Sequence, residues 1–159
     1  MSAKIEPLPR YSNCIVCGDN NKKGYKMKFF RDGDEVFCDF KPEDFMVGFP
    51  GWVHGGFFAM ILDDLMWWTV AINSGLASVT AEMNVKFLKP TPTDRSYHIR
   101  GKVIKQKRRV FTVEAKVEDF IHAEGHYVTL KGEMQKNAIK DINFSGCSEE
   151  LINRFKINQ

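Results

Sequence analysis

The sequence lacks a strong excess of charge of either sign. Its 159 residues carry 23 Lys and Arg against 20 Asp and Glu, which gives a formal net charge of +3. A general binder of nucleic acid or of a membrane surface normally has a larger or more clustered basic excess. The composition therefore argues against nucleic acid and membrane lipid as partners.

Cysteine is also scarce, and no secretion signal is visible. Only Cys14, Cys17, Cys38 and Cys147 occur, and no basic segment followed by an apolar stretch precedes them. Such a chain is expected in the cytoplasm, with its thiols free. Cys14 and Cys17 have the spacing of a metal-binding pair, but a structural zinc site usually needs a second pair, which is missing. We therefore expect no metal and no cofactor.

A long apolar run free of charge is the third absence. The stretch from Gly55 to Ile72 contains Asp63 and Asp64 at its centre, and each acid costs about 2.5–3.5 kcal/mol in a membrane span. We therefore do not expect it to cross a membrane. Its length favours a helix, because strands rarely exceed about ten residues, and Gly75 stands where a helix C-cap glycine would. A helix that is apolar nearly all round must be enclosed.

Segments with alternating apolar and polar residues predict a sheet whose apolar face can cover this helix. Runs near 25–40 predict a hairpin, and four further runs near 80–88, 97–103, 111–117 and 128–134 predict antiparallel strands with one buried face. In the first of the four, Thr80 falls on the face opposite Ala81 and Met83. The predicted fold class is α+β, with one long central helix wrapped by a curved antiparallel sheet of five to six strands.

The length is that of a single domain. We predict an irregular N-terminal lead-in over residues 1–24, a folded domain over residues 25–136, and a C-terminal tail over residues 137–159. The tail contains a short helix near 148–157, with Ser148 as its N-cap.

The start of the enclosed helix carries the residues best suited to chemistry. His54, Gly55 and Gly56 open it, and Asp63 follows two turns later on the same face. The first amides of a helix have no internal partners, so they can donate to a ligand that glycines allow to approach. With a carboxylate nearby, this combination suits a hydrolase. The simpler alternative is a capping histidine, a tight turn and an acid at a solvated helix edge.

The segment 53–63 resembles the HGG…D motif of the hotdog-fold acyl-CoA thioesterases, in the PaaI-like, phenylacetate-pathway branch of the 4-hydroxybenzoyl-CoA thioesterase superfamily. In that branch the acid lies nine residues after the histidine, as it does here. Segment 80–90 is similar to the family's strand after the helix, and 103–109 resembles its basic hairpin. Segment 14–24 is similar to an N-terminal stretch found in part of the family. The resemblance implies a hotdog thioesterase domain over residues 25–136.

The resemblance also implies an activity, the hydrolysis of an acyl-CoA thioester to free acid and CoA. The Gly55 amide would polarise the thioester carbonyl, His54 would help to place it, and Asp63 would act as base or nucleophile. Thr80 matches a position where some members orient water from the partner subunit, although an ordinary strand threonine is the alternative. The implied assembly is a homodimer, or a dimer of dimers, with its site at the dimer interface.

Substrate contacts follow from the same resemblance. Gly56 and the loop residue Phe49 would contact the substrate, and the CoA phosphates would meet a cluster of three cations, Lys107, Arg108 and Arg109. As a solvated turn, these cations need no such role. Phe45 and Met46, in the same loop as Phe49, are also placed to touch the acyl group, because loops carry variable specificity.

Two positions depart from the family pattern. Gly48 stands where many relatives have Asn or Gln, and Lys107 stands where a glycine is common. The first departure keeps open a non-catalytic acyl-CoA-binding protein. A hotdog 3-hydroxyacyl dehydratase is a further alternative, against which the His-Gly-Gly tripeptide argues.

Overall fold

A helix of 20 residues packed against a seven-stranded antiparallel sheet forms the body of the computed structural model, which describes residues 5–156. In chain order the elements are β1 (Glu6–Pro7), β2 (Arg10–Tyr11), β3 (Phe30–Asp32), β4 (Glu35–Phe40), a 3-10 turn (Asp44–Met46), β5 (Val47–Phe49), β6 (Trp52–Val53), α1 (Gly55–Ser74), β7 (Ser78–Phe87), β8 (Tyr97–Lys107), β9 (Val110–Val117), β10 (Ile121–Thr129), α2 (Gly132–Ile139), β11 (Ile142–Asn143) and α3 (Glu149–Lys156).

Helix α1 has a capping residue at each end. His54 Nδ1 accepts a hydrogen bond from the Gly56 amide at 3.0 Å, and Gly75 adopts a left-handed conformation with φ of 69°. Half of the side chains of α1 are fully buried: Phe58, Ile61, Leu62, Leu65, Met66, Trp68, Thr69, Val70, Ala71 and Ile72. By length and composition alone α1 would also suit a membrane, but a buried core helix meets the same criteria. The predicted enclosure of this helix is confirmed.

The sheet has the strand order β1-β3-β4-β8-β9-β10-β7, and every pairing within it is antiparallel. Six longer strands form most of it, and the two-residue β1 extends one edge. Strand β7 forms the opposite edge, and most of its residues are exposed. The predicted α+β architecture, a central helix against an antiparallel sheet, is therefore confirmed.

The end of the last long strand differs from the sequence prediction. Alternation predicted a strand that continues to Met134, whereas β10 ends at Thr129 and α2 begins at Gly132. Gly132 has φ of 52°, which a strand does not accommodate. Met134 is consequently exposed on α2 rather than buried under the sheet.

The first strand and the last helix of the described residues meet at Arg31 of β3. Its guanidinium contacts Glu6 of β1 and lies 3.1 Å from Glu150 of α3. The Ser148 hydroxyl accepts a hydrogen bond from the Leu151 amide at 3.2 Å and so caps α3. Residues 1–4 of the predicted lead-in and residue 157 of the predicted tail helix lie outside the described residues.

A glycine in the sheet permits the close approach of α1. A Cβ atom at Gly101 of β8 would lie 2.5 Å from Leu65 Cδ2 and 3.3 Å from Thr69 Oγ1. Both groups belong to fully buried residues of α1, so a larger side chain has no room unless the helix moves.

We predict that Gly101→Val lowers the free energy of unfolding by about 1–3 kcal/mol, because overpacking forces helix and sheet apart. Lys102→Val is the matched control, since the same side chain is added to the same strand at an exposed position. Urea unfolding at one fixed protein concentration measures both. Equal midpoints for the two variants would contradict the prediction.

Candidate active site at the first turns of the central helix

The first turn of α1 offers one free backbone donor. The Gly56 amide is occupied by His54 Nδ1, and the Phe57 amide donates to the His54 carbonyl at 3.0 Å. The Gly55 amide has no acceptor among the described residues. The histidine therefore acts as the N-cap, as the simpler sequence interpretation held, and by occupying Gly56 it leaves Gly55 as the donor that faces an incoming ligand.

Asp63 is held by two hydroxyl groups from neighbouring strands. Its Oδ1 accepts a hydrogen bond from Thr80 Oγ1 at 2.9 Å and another from the Tyr127 hydroxyl at 2.9 Å. Burial and the neighbouring Asp63 charge raise the pKa of Tyr127 well above its usual range, so its hydroxyl remains a donor. No described group bonds to Asp63 Oδ2. The carboxylate is thus fixed at one oxygen and available at the other.

Thr80 reaches Asp63 because β7 contains a β-bulge. The pairing with β10 places Thr80 opposite Tyr127 and Glu82 opposite His126, so Ala81 is an extra residue. The bulge reverses the alternation and turns Thr80 toward α1. The sequence prediction that Thr80 faces away from the helix is therefore wrong. Its hydroxyl donates to Asp63 of its own chain, and its role in orienting water stays a prediction.

Gly55 and Asp63 lie too far apart to act on one carbonyl within a single chain. Eight residues of helix separate them, which corresponds to a rise of about 12 Å. The Asp63 side chain leans toward the helix N-terminus, but by only a fraction of that distance. The sequence interpretation that one chain brings both groups to the same carbonyl is therefore geometrically excluded.

The loop before α1 is a small antiparallel pair, β5 with β6. Gly48 lies against His54, because a Cβ atom there would be 3.1 Å from the His54 Cα atom. Phe49 is 76% exposed, and Phe45 is 60% exposed. Met46, by contrast, is 1% exposed and belongs to the core, so the suggestion that it touches an acyl group is wrong.

The predicted cationic cluster lies at the turn between β8 and β9. Three cations of this cluster line a shallow depression of about 600 Å³ together with Val110, Val128 and Lys131; they are Lys107, Arg108 and Arg109. Arg109 donates from Nε to the Thr129 carbonyl at 3.0 Å, so its guanidinium also holds the turn to β10. Thr129 is two residues beyond Tyr127, which places the depression near the Asp63 end of the sheet.

Sequence reasoning missed Tyr127 and Lys131. The signal for Tyr127 exists, because Ile121, Ala123, Gly125 and Tyr127 alternate with polar residues and face inward. The sequence prediction began this strand only near residue 128 and so missed that alternation. Lys131 is distant from the basic turn in sequence, and only the pairing of β9 with β10 brings it there.

Comparison with known proteins identifies the architecture. A model of the Thioesterase superfamily matches residues 50–125, which contain α1, all of β7 and the first part of β10. Tyr127 lies two residues beyond the matched range. A thioesterase superfamily protein from Shewanella loihica PV-4 superposes with a TM-score of 0.62 at 24% identity, over 71% of this chain and 98% of its own. The fold is the hotdog fold. A comparison with curated proteins found no match.

Two further hotdog structures contain coenzyme A or its acetyl ester. The smu.793 protein from Streptococcus mutans UA159, bound to acetyl CoA, has a TM-score of 0.56 at 19% identity over 61% of this chain and 82% of its own. A hypothetical thioesterase protein with coenzyme A from Streptococcus pneumoniae TIGR4 has a TM-score of 0.52 at 24% identity over 60% of this chain and 78% of its own.

We predict that Tyr127→Phe lowers the free energy of unfolding by about 1 kcal/mol or more, because a buried hydroxyl bond to a carboxylate is lost. Tyr25→Phe is the control, since the Tyr25 hydroxyl has no described hydrogen bond. Thermal or urea unfolding at matched concentrations measures the difference. A Tyr127→Phe variant as stable as Tyr25→Phe would mean that the Tyr127–Asp63 bond contributes nothing to the fold.

Proposed function

We propose that this protein hydrolyses an acyl-CoA thioester to a free acid and CoA, as a homodimer. The observation that carries the proposal is the Asp63 carboxylate, oriented by Thr80 and Tyr127 on the same helix whose first turn presents the free Gly55 amide. The match to the Thioesterase superfamily model supports a thioester as the substrate. The acetyl CoA and coenzyme A held by the two streptococcal proteins support CoA as the thiol.

The chemistry needs a donor for the carbonyl and a base or nucleophile beside it. The Gly55 amide donates to the thioester oxygen and stabilises the negative charge that develops there. Asp63 Oδ2 either removes a proton from an attacking water or attacks the carbonyl carbon itself. The new C–O bond forms, the C–S bond breaks, and CoA leaves as a thiol after taking up a proton. Water hydrolyses the mixed anhydride if Asp63 was the nucleophile.

The separation of Gly55 from Asp63 supports a site shared between two chains. In a two-fold dimer, Gly55 of one subunit meets Asp63 of the other, and two equivalent sites result. Strand β7 is a suitable contact, because it is a ten-residue edge strand with unpaired backbone groups. Val79, Phe87 and Leu88 are 50%, 52% and 60% exposed at this edge. A second copy that pairs along β7 would cover them.

The cationic cluster supports CoA as the leaving group. Lys107, Arg108 and Lys131 are exposed cations around one depression, and Arg and Lys groups bind phosphate oxygens through charge-assisted hydrogen bonds. Phe49 and Phe45, exposed in the loop before α1, are the residues we assign to the acyl group. The PaaI-like branch, a dimer of dimers and a cytoplasmic location stay predictions.

A non-hydrolytic acyl-CoA binder is the second candidate, because Gly48 provides no side-chain amide next to His54. The two candidates differ in one assay, since a binder gives saturable acyl-CoA binding in calorimetry with no release of thiol. An assay of thiol release over a panel of aliphatic and aromatic acyl-CoA substrates separates the two candidates.

We predict that Asp63→Asn lowers kcat/KM for thiol release by at least about 100-fold, because the base or nucleophile is lost. Asp39→Asn is the control, since Asp39 is an exposed acid that pairs with His98 on strand β8. Retention of full activity by Asp63→Asn would refute the proposed mechanism.

The Gly55 donor can be removed without removing the helix. Proline lacks the N–H, is tolerated at the first helical position, and requires an extended preceding residue, which His54 provides with φ of −65° and ψ of 124°. We predict that Gly55→Pro lowers kcat/KM for thiol release by about 100-fold or more, because the donor to the thioester oxygen is lost. Gly55→Ala keeps the N–H and makes the same contact with the Phe87 ring, so it controls for the added Cβ atom.

Mixed dimers test which chain supplies each group. A heterodimer of an Asp63→Asn chain with a Gly55→Pro chain, purified through two different tags, should recover about half the wild-type activity, because one of its two sites is intact. A heterodimer of an Asp63→Asn chain with a Thr80→Ala chain should be no more active than the Thr80→Ala homodimer, because neither of its two sites has both Asp63 and Thr80. The shared site would be contradicted if the heterodimer of Asp63→Asn with Gly55→Pro had only background activity, or if the protein were a monomer in solution.

A further inference from the structure

A second cluster of reactive side chains lies one residue along α1 from Asp63. The Cys14 and Cys17 sulfur atoms and an Asp64 carboxylate oxygen all lie within 4.8 Å of one another. Cys14 Sγ is 3.9 Å from Asp64 Oδ1. The proposed hydrolysis uses none of these groups.

The loop that carries the two cysteines is shaped around the Cys14 sulfur. The Val16 amide donates to Cys14 Sγ at 3.3 Å, and the Gly18 amide donates to the Cys14 carbonyl at 3.0 Å. A Cβ atom at Gly18 would lie 2.5 Å from the Cys14 amide nitrogen, so this tight turn admits only glycine. The loop therefore holds the Cys14 sulfur in a fixed place beside α1, and a thiolate at that place is a ligand for soft and borderline metal ions.

The Asp64 side chain is partly buried between α1 and the cysteine loop. No Lys, Arg or His of residues 5–156 forms an ion pair with it. Both carboxylate oxygens of Asp64 lie near the Cys14 sulfur, at 3.9 and 4.0 Å. An ionised carboxylate that is partly buried beside two sulfur atoms is costly unless a cation neutralises it.

We propose that Cys14, Cys17 and Asp64 form a site for a zinc-type divalent cation. Two thiolates and a carboxylate are ligands that Zn²⁺ accepts, whereas Mg²⁺ and Ca²⁺ prefer oxygen alone. A tetrahedral ion with bonds of about 2.0–2.3 Å would place sulfur and oxygen roughly 3.5 Å apart, close to the observed 3.9 Å. Cys14 and Asp64 are partly exposed, so a water molecule completes the fourth position.

The ion would join two parts of the chain that are distant in sequence. Cys14 and Cys17 belong to the segment between β2 and β3, and Asp64 lies in the middle of α1. Strand β2, directly before that segment, already packs on α1, since the centroid of the Tyr11 ring is 5.6 Å from that of the Trp67 ring. The metal therefore has a structural role that does not depend on the proposed hydrolysis.

The test is metal binding by the full chain, purified under reducing conditions without a histidine tag. We expect about one zinc per chain by elemental analysis. Co²⁺ substitution should give a thiolate-to-cobalt charge-transfer band and the visible bands of a tetrahedral site. Cys17→Ser and Asp64→Asn should bind Co²⁺ at least about tenfold more weakly, whereas Cys147→Ser, a thiol outside the cluster, should bind as the wild type does.

Thermal unfolding of the wild type keeps the proposal testable if the variants do not fold. Chelation should lower the melting temperature, and Zn²⁺ but not Mg²⁺ should restore it, because a ligand that binds only the folded state stabilises it. Three results would overturn the proposal. They are no stoichiometric Zn²⁺ or Co²⁺ in the reduced wild type, cobalt bands unchanged in Asp64→Asn, and a Cys14–Cys17 disulfide in the freshly purified protein.

Discussion

The structure depends on two opposing requirements of helix α1. The helix is apolar on nearly every side, which favours its burial, and it also carries two adjacent carboxylates, whose burial is costly. The apolar side chains require α1 to be covered, and the antiparallel sheet covers it. The acids at 63 and 64 must then be partly buried with it, and each needs partners of its own. Asp63 is held by strands β7 and β10, whereas Asp64 faces the cysteine loop. The two acids therefore have separate surroundings, the hydroxyl groups of β7 and β10 around Asp63 and the cysteine loop beside Asp64.

The helix and the sheet were predictable because their signals are local. The apolar run of α1 and the alternation of the strands can be read within windows of about ten residues. The surroundings of Asp63 were not, because they depend on strand register. An extra residue at Ala81 reverses the alternation of β7, and no local pattern announces it. Tyr127 and Lys131 reach the site only through the pairing of β10, so a sequence window centred on α1 does not contain them.

The geometry of α1 also limits what one chain can do. A helix end presents its free amide at one point only, and the Asp63 backbone lies about 12 Å further along the axis. Flexible side chains do not close such a gap, so catalysis at a single carbonyl requires a second helix end. We propose the exposed edge of β7 as the surface through which a second copy brings one. The same strand positions Thr80 against Asp63, so in the proposed dimer one element would serve both subunit contact and acid orientation.

The partners of the two acids differ in a way that suits different chemistry. Thr80 and Tyr127 are neutral donors, so they fix the Asp63 carboxylate without cancelling its charge, and the free oxygen keeps its ability to take a proton or attack a carbon. An arginine in their place would hold the acid equally well but would weaken it as a base. Asp64 faces two thiols instead, and thiols add negative charge when ionised rather than compensating it. A carboxylate in that setting is stable only when it is protonated or bound to a cation, which separates its role from that of its neighbour.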